Sequence, residues 1–225
     1  MWLKKQNATN SEYKEVCERI ADELELPIDF EGRYKWIVFL NSRTNQKIPV
    51  LNRYYGMFEN GRLKVRGIDL RRHDTPEIVR QCQKDMLNVL AQARDSRDFI
   101  EHIPKALGVM KTYVSALRMH KIPTEKLIVE KRLSKTPNEY SNLVPQAIAA
   151  EHLIKEGETI HAGQSVSFVM TRNESRIPEN RTLPAKLIDL TTSYDAESYV
   201  DLVLSSAMNL LLPFGYDIES LRKLV

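Results

Sequence analysis

The feature that most constrains this chain is a change in the period of its apolar residues. Over the hairpin that ends near residue 66 they recur every second position; beyond Thr75-Pro76 they recur about every 3.6. A two-residue period belongs to strands and a 3.6-residue period to helices, so sheet and helical parts should follow one another. In the first part, Thr9 with Glu12 makes a capping box. Tyr13, Val16, Ile20 and Leu24 then follow at helical spacing before Pro27, which predicts a helix over residues 11–25 lying on a sheet. Tyr34 to Leu40 is nearly all apolar, which predicts a strand covered on both faces. Tyr55 and Met57 alternate before Asn60-Gly61, and Leu63 and Val65 after it. This predicts a hairpin closed by a type I′ turn.

In the second part, Thr75 is read as a helix N-cap with Pro76 at the first helical position. Ile78, Cys82, Met86 and Leu90 form one helical stripe. Ile100, Ile103, Leu107, Met110, Val114 and Leu117 form a second, with Pro104 as a start or kink. Pro145 opens a third helix running to Lys155 and stopped at Gly157, and Asp195 caps a fourth through about Leu212. Ser165 to Thr171 reads as one short strand pair. The fold class is therefore α+β, with the best boundary between residues 1–66 and 67–225.

Its 225 residues, 42% hydrophobic and 28% charged, are enough for a real core and exclude a disordered tail. Cys17 and Cys82 are the only cysteines and have no metal-ligand spacing. That argues against a disulfide framework or a zinc site and for a reducing, intracellular setting. No apolar run is long enough to span a bilayer and Met-Trp-Leu-Lys-Lys lacks a signal-peptide core, so a cytoplasmic protein is expected. There is no Gly-rich phosphate loop, no GxSxG and no HExxH. The histidines at 73, 102, 120, 152 and 161 show no metal spacing.

A formal net charge of +3 is too mild to indicate a polyanionic partner, so the placement of the charges matters more. Arg62, Lys64, Arg66, Arg71, Arg72, His73 and Arg80 crowd around the hairpin and the first long helix. Lys126, Lys131, Arg132 and Lys135 form a second cluster. Such clusters could neutralise phosphates, or could be a solvated polar face. Asp69 and Asp74 flank the first cluster and are expected to form salt bridges with it.

Arg66-Gly67-Ile68-Asp69-Leu70-Arg71-Arg72-His73-Asp74 resembles the "RGxExxRRD" segment at the palm-to-thumb junction of family B DNA polymerases, the archaeal branch in particular. Phe30-Glu31-Gly32-Arg33-Tyr34-Lys35 resembles the family's "YEGxYKR", and Asn52-Arg53-Tyr54 its "KxY". Ser134 to Tyr140 is similar to "T(K/R)xxxxY", Tyr194 to Tyr199 to "YDAxYY", and Phe214-Gly215-Tyr216 to the closing "FGY". Six motifs in register make the match specific. Asn52 stands where the family has lysine, and His73 where it has the second arginine of "RRD".

The resemblance implies the C-terminal remainder of a palm, with its junction hairpin, over residues 1–66. A mainly helical thumb with a small strand pair would occupy 67–225. It implies the small, non-catalytic subunit of a naturally split polymerase of a methanogenic archaeon, or a fragment of a longer one. By resemblance Tyr54 meets the primer strand near its 3′ end, and Arg53, Arg66, Arg72 and Lys135 meet phosphates or the minor groove. Asn52, Arg71, His73 and Lys131 complete the DNA-binding set, together with Tyr140, whose ring packs locally and leaves its hydroxyl free for a phosphate. No cofactor is expected in this chain. Magnesium belongs to a larger partner chain carrying the exonuclease, the fingers and the metal-binding palm motifs. Trp2, Trp36, Val38, Phe39 and Tyr55 are candidates for docking on that partner, with Trp36 the one most expected in the core. Lys223-Leu224-Val225 has no glutamine-plus-aromatic pattern, so sliding-clamp binding through this terminus is not expected. A stand-alone helical nucleic-acid-binding module is the alternative reading. An independent enzyme is disfavoured, because nothing supplies paired metal-binding carboxylates or an activated nucleophile.

Overall fold

The computed structural model describes residues 3–4, 7–42, 44–172 and 174–225. Helix α1 (Asn10–Leu24) begins at the expected capping box, in which the Glu12 amide donates to Thr9 Oγ1 at 3.3 Å and the Thr9 amide to Glu12 Oε2 at 2.7 Å. It buries none of its residues, so it does not pack on the sheet as a covering layer; Tyr13 stacks on Phe30 at 5.9 Å between ring centroids.

Strands β1 (Tyr34–Asn41), β2 (Pro49–Phe58) and β3 (Leu63–Arg66) form an antiparallel sheet in that order. Only one face of β1 is fully covered: Trp36 and Leu40 are buried, whereas Ile37 and Phe39 on the other face are half-exposed. The expectation of cover on both faces is met only in part: among the described residues a cleft bounded by α1 and residues 28–33, not packed core, lies over the second face. The hairpin is present, but not with a type I′ turn. Gly61 has a positive φ of 84° and Asn60 does not. The Gly61 amide donates to the Phe58 carbonyl at 3.0 Å and the Phe58 amide to the Arg62 carbonyl at 2.9 Å, giving a three-residue loop whose last residue is left-handed.

Helix α2 (Glu77–Leu90) is capped by Pro76 rather than Thr75, without a side-chain bond. Its predicted stripe is buried throughout. Helix α3 (Ser96–Arg118) starts at Asp95, so Pro104 lies inside it, and Ile100 of the predicted stripe is exposed. After β4 (Val129–Arg132) come α4 (Pro145–Lys155), β5 (Ser165–Met170), β6 (Thr182–Pro184), α5 (Ala196–Leu211) and α6 (Ile218–Arg222). Strands β4, β5 and β6 pair antiparallel as a three-stranded sheet, one strand more than the expected pair.

One apolar core runs from the first sheet through α2, α3 and α5 to the second. Buried polar bonds cross the junction at residue 67. The Trp36 Nε1–H donates to the Ala93 carbonyl at 3.1 Å, just beyond the end of α2, and the Tyr55 hydroxyl donates to the Leu210 carbonyl at 3.0 Å, in the last turn of α5. Both acceptors lie where a helix runs out of its own donors. Trp36 and Tyr55, candidates for a partner surface, are therefore core residues, 4% and 0% exposed. Val38 and Phe39 are half-buried, and Trp2 lies outside the described residues. Among the described residues no helix is long and apolar enough to cross a membrane.

Candidate nucleic-acid interface

Five of the ten predicted DNA-binding residues line two clefts. Arg53, Arg72 and Lys131 line the first, of about 360 Å³, together with Asn41, Asp69, Asp74, Ser205, Ser206 and Asn209. Tyr54 and Arg66 line the second, of about 650 Å³, between α1, residues 28–33 and the half-covered sheet face. Asn52, Arg71, His73 and Lys135 are exposed and line neither. The Tyr54 ring is 3% exposed, 6.1 Å from Phe39 between centroids, so it forms the floor of its cleft rather than a projecting contact.

The first cleft is held by a polar network that joins distant segments. Gly67, at φ +67°, lies against Arg53: a Cβ there would fall 2.7 Å from Arg53 Cγ and 2.8 Å from the Asn52 carbonyl oxygen. Arg53 donates through Nε to the Gly67 carbonyl at 3.1 Å, through Nη1 to the Asn41 carbonyl and through Nη2 to Asn209 Oδ1 at 3.3 Å. Asn209 Nδ2 donates to Asp69 Oδ2 at 2.8 Å. Gln83, on the buried face of α2, donates to Ser206 Oγ at 2.8 Å and accepts from the Leu70 amide at 2.7 Å. Sequence reasoning missed Gln83, Ser206 and Asn209. The one available signal was a glutamine beside Cys82 within an otherwise apolar stripe.

At the mouth of this cleft the two basic clusters meet. Asp74 accepts from Arg72 Nε and Nη2 at 2.8 and 2.6 Å, a bidentate pair, and from Lys131 Nζ at 3.1 Å. The Arg72 hydrogen bond, assisted by Lys131, holds the Asp74 carboxyl well below the usual carboxylate range; the same bond raises the Arg72 guanidinium above its own. The expected salt bridging is thus found at Asp74, while Asp69 accepts from the amides of Asn209 and Gln83. Elsewhere Lys126 pairs with Glu77 at 3.5 Å, and Arg132 Nε donates to the Gly163 carbonyl at 2.8 Å. The Tyr140 hydroxyl is not left free: it shares a hydrogen bond with the Ser134 hydroxyl at 3.3 Å, which above all lowers its pKa, and accepts from the Ser134 amide at 2.9 Å.

Both oxygens of Asp74 face cations, and among the described residues no three His, Cys, Asp or Glu side chains gather into a metal-holding group.

The profile of DNA polymerase family B matches residues 9–214. The chain belongs to that family. Among its curated relatives the "DNA polymerase" of Thermococcus kodakarensis is 29% identical over 199 residues, covering 88% of this chain and 11% of the relative. The "DNA polymerase" of Archaeoglobus fulgidus is 23% identical over 241 residues, covering 99% of this chain and 28% of the relative. That of Methanocaldococcus jannaschii is 27% identical, covering 88% and 11%. The solved family B DNA polymerase of the hyperthermophilic archaeon Pyrobaculum calidifontis shares the fold, with a TM-score of 0.63 at 20% identity, over 90% of this chain and 24% of that one. The chain thus spans between about a tenth and under a third of the family B relatives it matches.

Proposed function

We propose that this chain is the non-catalytic, duplex-gripping small subunit of a split DNA-directed DNA polymerase. It would complete the palm of a larger chain that carries the exonuclease, the fingers and the metal-binding motifs and that binds magnesium. The observation that carries the reading is the convergence of Arg72 and Lys131, far apart in sequence, at the mouth of one cleft. Cations grouped in this way suit phosphate contacts, which hold a duplex while allowing any sequence to pass. Two half-covered apolar surfaces support docking: the Val16 and Ile20 face of α1, none of whose residues is fully buried, and the Ile37 and Phe39 face of β1.

The test is primer extension on a primed template with magnesium and nucleotides, by this chain alone and mixed with a candidate catalytic chain. Synthesis only in the mixture is expected. Synthesis by this chain alone would refute the non-catalytic role, and duplex binding without synthesis in the mixture would point to a stand-alone module.

A further inference from the structure

Asp74 stands where a DNA-gripping surface should least want a negative charge. Its Oδ2 takes bonds from both Arg72 Nη2, at 2.6 Å, and Lys131 Nζ, at 3.1 Å, while Oδ1 takes Arg72 Nε at 2.8 Å. That is the arrangement in which one phosphate would be held, two oxygens on the guanidinium fork and one shared with an ammonium group. The three side chains are about a third exposed, 37% for Arg72, 33% for Asp74 and 42% for Lys131, so a dissolved anion can reach the seat.

The geometry points to Asp74 as a built-in competitor: its carboxylate occupies a phosphate seat between Arg72 and Lys131, and a bound nucleic-acid phosphate must displace it. Grip at this seat is thereby weakened, which suits a duplex that has to be released and advanced after each addition. The inference rests on the DNA-binding reading above. Its chemistry, however, is that of any polyanion. With Asp74 in place its carboxylate offsets one of the two cations at this seat, so binding a phosphate there releases fewer ions than two bare cations would. Asp74→Asn keeps the side-chain shape and one acceptor oxygen but removes the charge, so the seat gains one positive charge for DNA to meet.

The experiment compares the wild-type chain and Asp74→Asn on a primer-template duplex, measuring affinity from about 50 to 200 mM salt, and on a heparin column eluted with salt. Matched urea unfolding establishes that both are folded. Asp74→Asn is expected to bind the duplex about tenfold more tightly at low salt, to steepen the slope of log affinity against log salt by about 1, and to elute later from heparin. Weaker binding by a folded Asp74→Asn would mean that Asp74 positions Arg72 for DNA, and would overturn the proposal. Equal binding and equal slopes would overturn it too, while leaving the DNA-binding reading intact. Later heparin elution with no duplex binding by either protein would support the anion seat and refute the DNA-binding reading instead. If Asp74→Asn does not fold, Asp74→Ser decides. It also removes the carboxylate from between Arg72 and Lys131, and the competitor reading expects the same tighter binding and steeper slope. A folded Asp74→Ser that binds no more tightly than the wild type would overturn the proposal.

Discussion

Removing one oxygen should loosen the join between the first sheet and the helices. The Tyr55 hydroxyl, on a side chain with no exposed surface, donates to the Leu210 carbonyl at 3.0 Å in the last turn of α5. Burial raises its pKa above the ordinary tyrosine range, so the phenol remains a donor throughout the working pH range. Tyr55→Phe keeps the ring, which lies 6.1 Å from Trp36 and 6.3 Å from Phe99 between centroids, and so opens almost no cavity. What it leaves is a buried carbonyl short of a donor, which costs about 1–3 kcal/mol. In a chain of this size that is a fall in Tm of about 2–4 °C per kcal/mol. Urea unfolding followed by circular dichroism should show a lower midpoint with an unchanged m-value. A loss below about 0.5 kcal/mol would refute the idea that this bond ties β2 to α5. An unchanged isolated chain that assembles poorly with a catalytic partner would return Tyr55 to the docking surface.

Four further perturbations read other parts of the argument. Gly67→Ala sets a Cβ at φ +67° against the Asn52 carbonyl and Arg53, and should lower stability by about 2–3 kcal/mol in urea unfolding; a loss under about 1 kcal/mol would mean the junction relaxes freely. Arg53→Lys keeps the charge but loses the fork that reaches Gly67, Asn41 and Asn209, so stability should fall by about 1–3 kcal/mol; weakened DNA binding at undiminished stability would make Arg53 a phosphate contact after all. The Asp74 carboxyl titrates below its unfolded value near 4, so its pairing stabilises the fold above about pH 4 and is lost as the pH falls from there. Asp74→Asn should flatten that part of the acid limb of stability against pH, and an identical limb would show the pairing to be without effect. Burial pushes the Cys82 thiol up to about 12, so iodoacetamide at pH 8 should label the half-exposed Cys17 and leave Cys82 intact until the chain is unfolded; native labelling of Cys82 would show that the core opens.

Local chemistry was the legible part of this fold. The proline at residue 145 and the glycine at 157 bracket α4 as read, Asp195 caps α5 through the Ser198 amide, and the Ile78, Cys82, Met86 and Leu90 stripe faces the core. Each signal is contained within a few residues. The second face of β1 was misread because an apolar run records that a face could be covered, not that this chain covers it. Strand β4 escaped notice because Glu130, Lys131 and Arg132 give it no apolar alternation; its place comes from pairing with β5. The candidate site was legible as two basic clusters, but their union at Asp74 depends on how β4 is carried past the start of α2, which no local pattern encodes.

What a basic residue can do here depends on which acceptors it already holds. Three nitrogens of Arg53 donate to two backbone carbonyls and an amide oxygen, each from a different segment. A phosphate that drew this guanidinium away would leave those neutral acceptors without donors, with nothing returned for the loss. Arg72 and Lys131 instead hold a carboxylate, and an incoming phosphate replaces one anion by another with the same bidentate geometry. The exchange strands only Asp74, which is a third exposed and can turn to water. By this criterion Arg53 shapes the cleft, and Arg72 with Lys131 are the residues that the proposed phosphate contacts would use. Two residues a single motif away from each other, Arg53 in the "KxY" match and Arg72 in "RGxExxRRD", thus part company on the chemistry of their partners rather than on their charge.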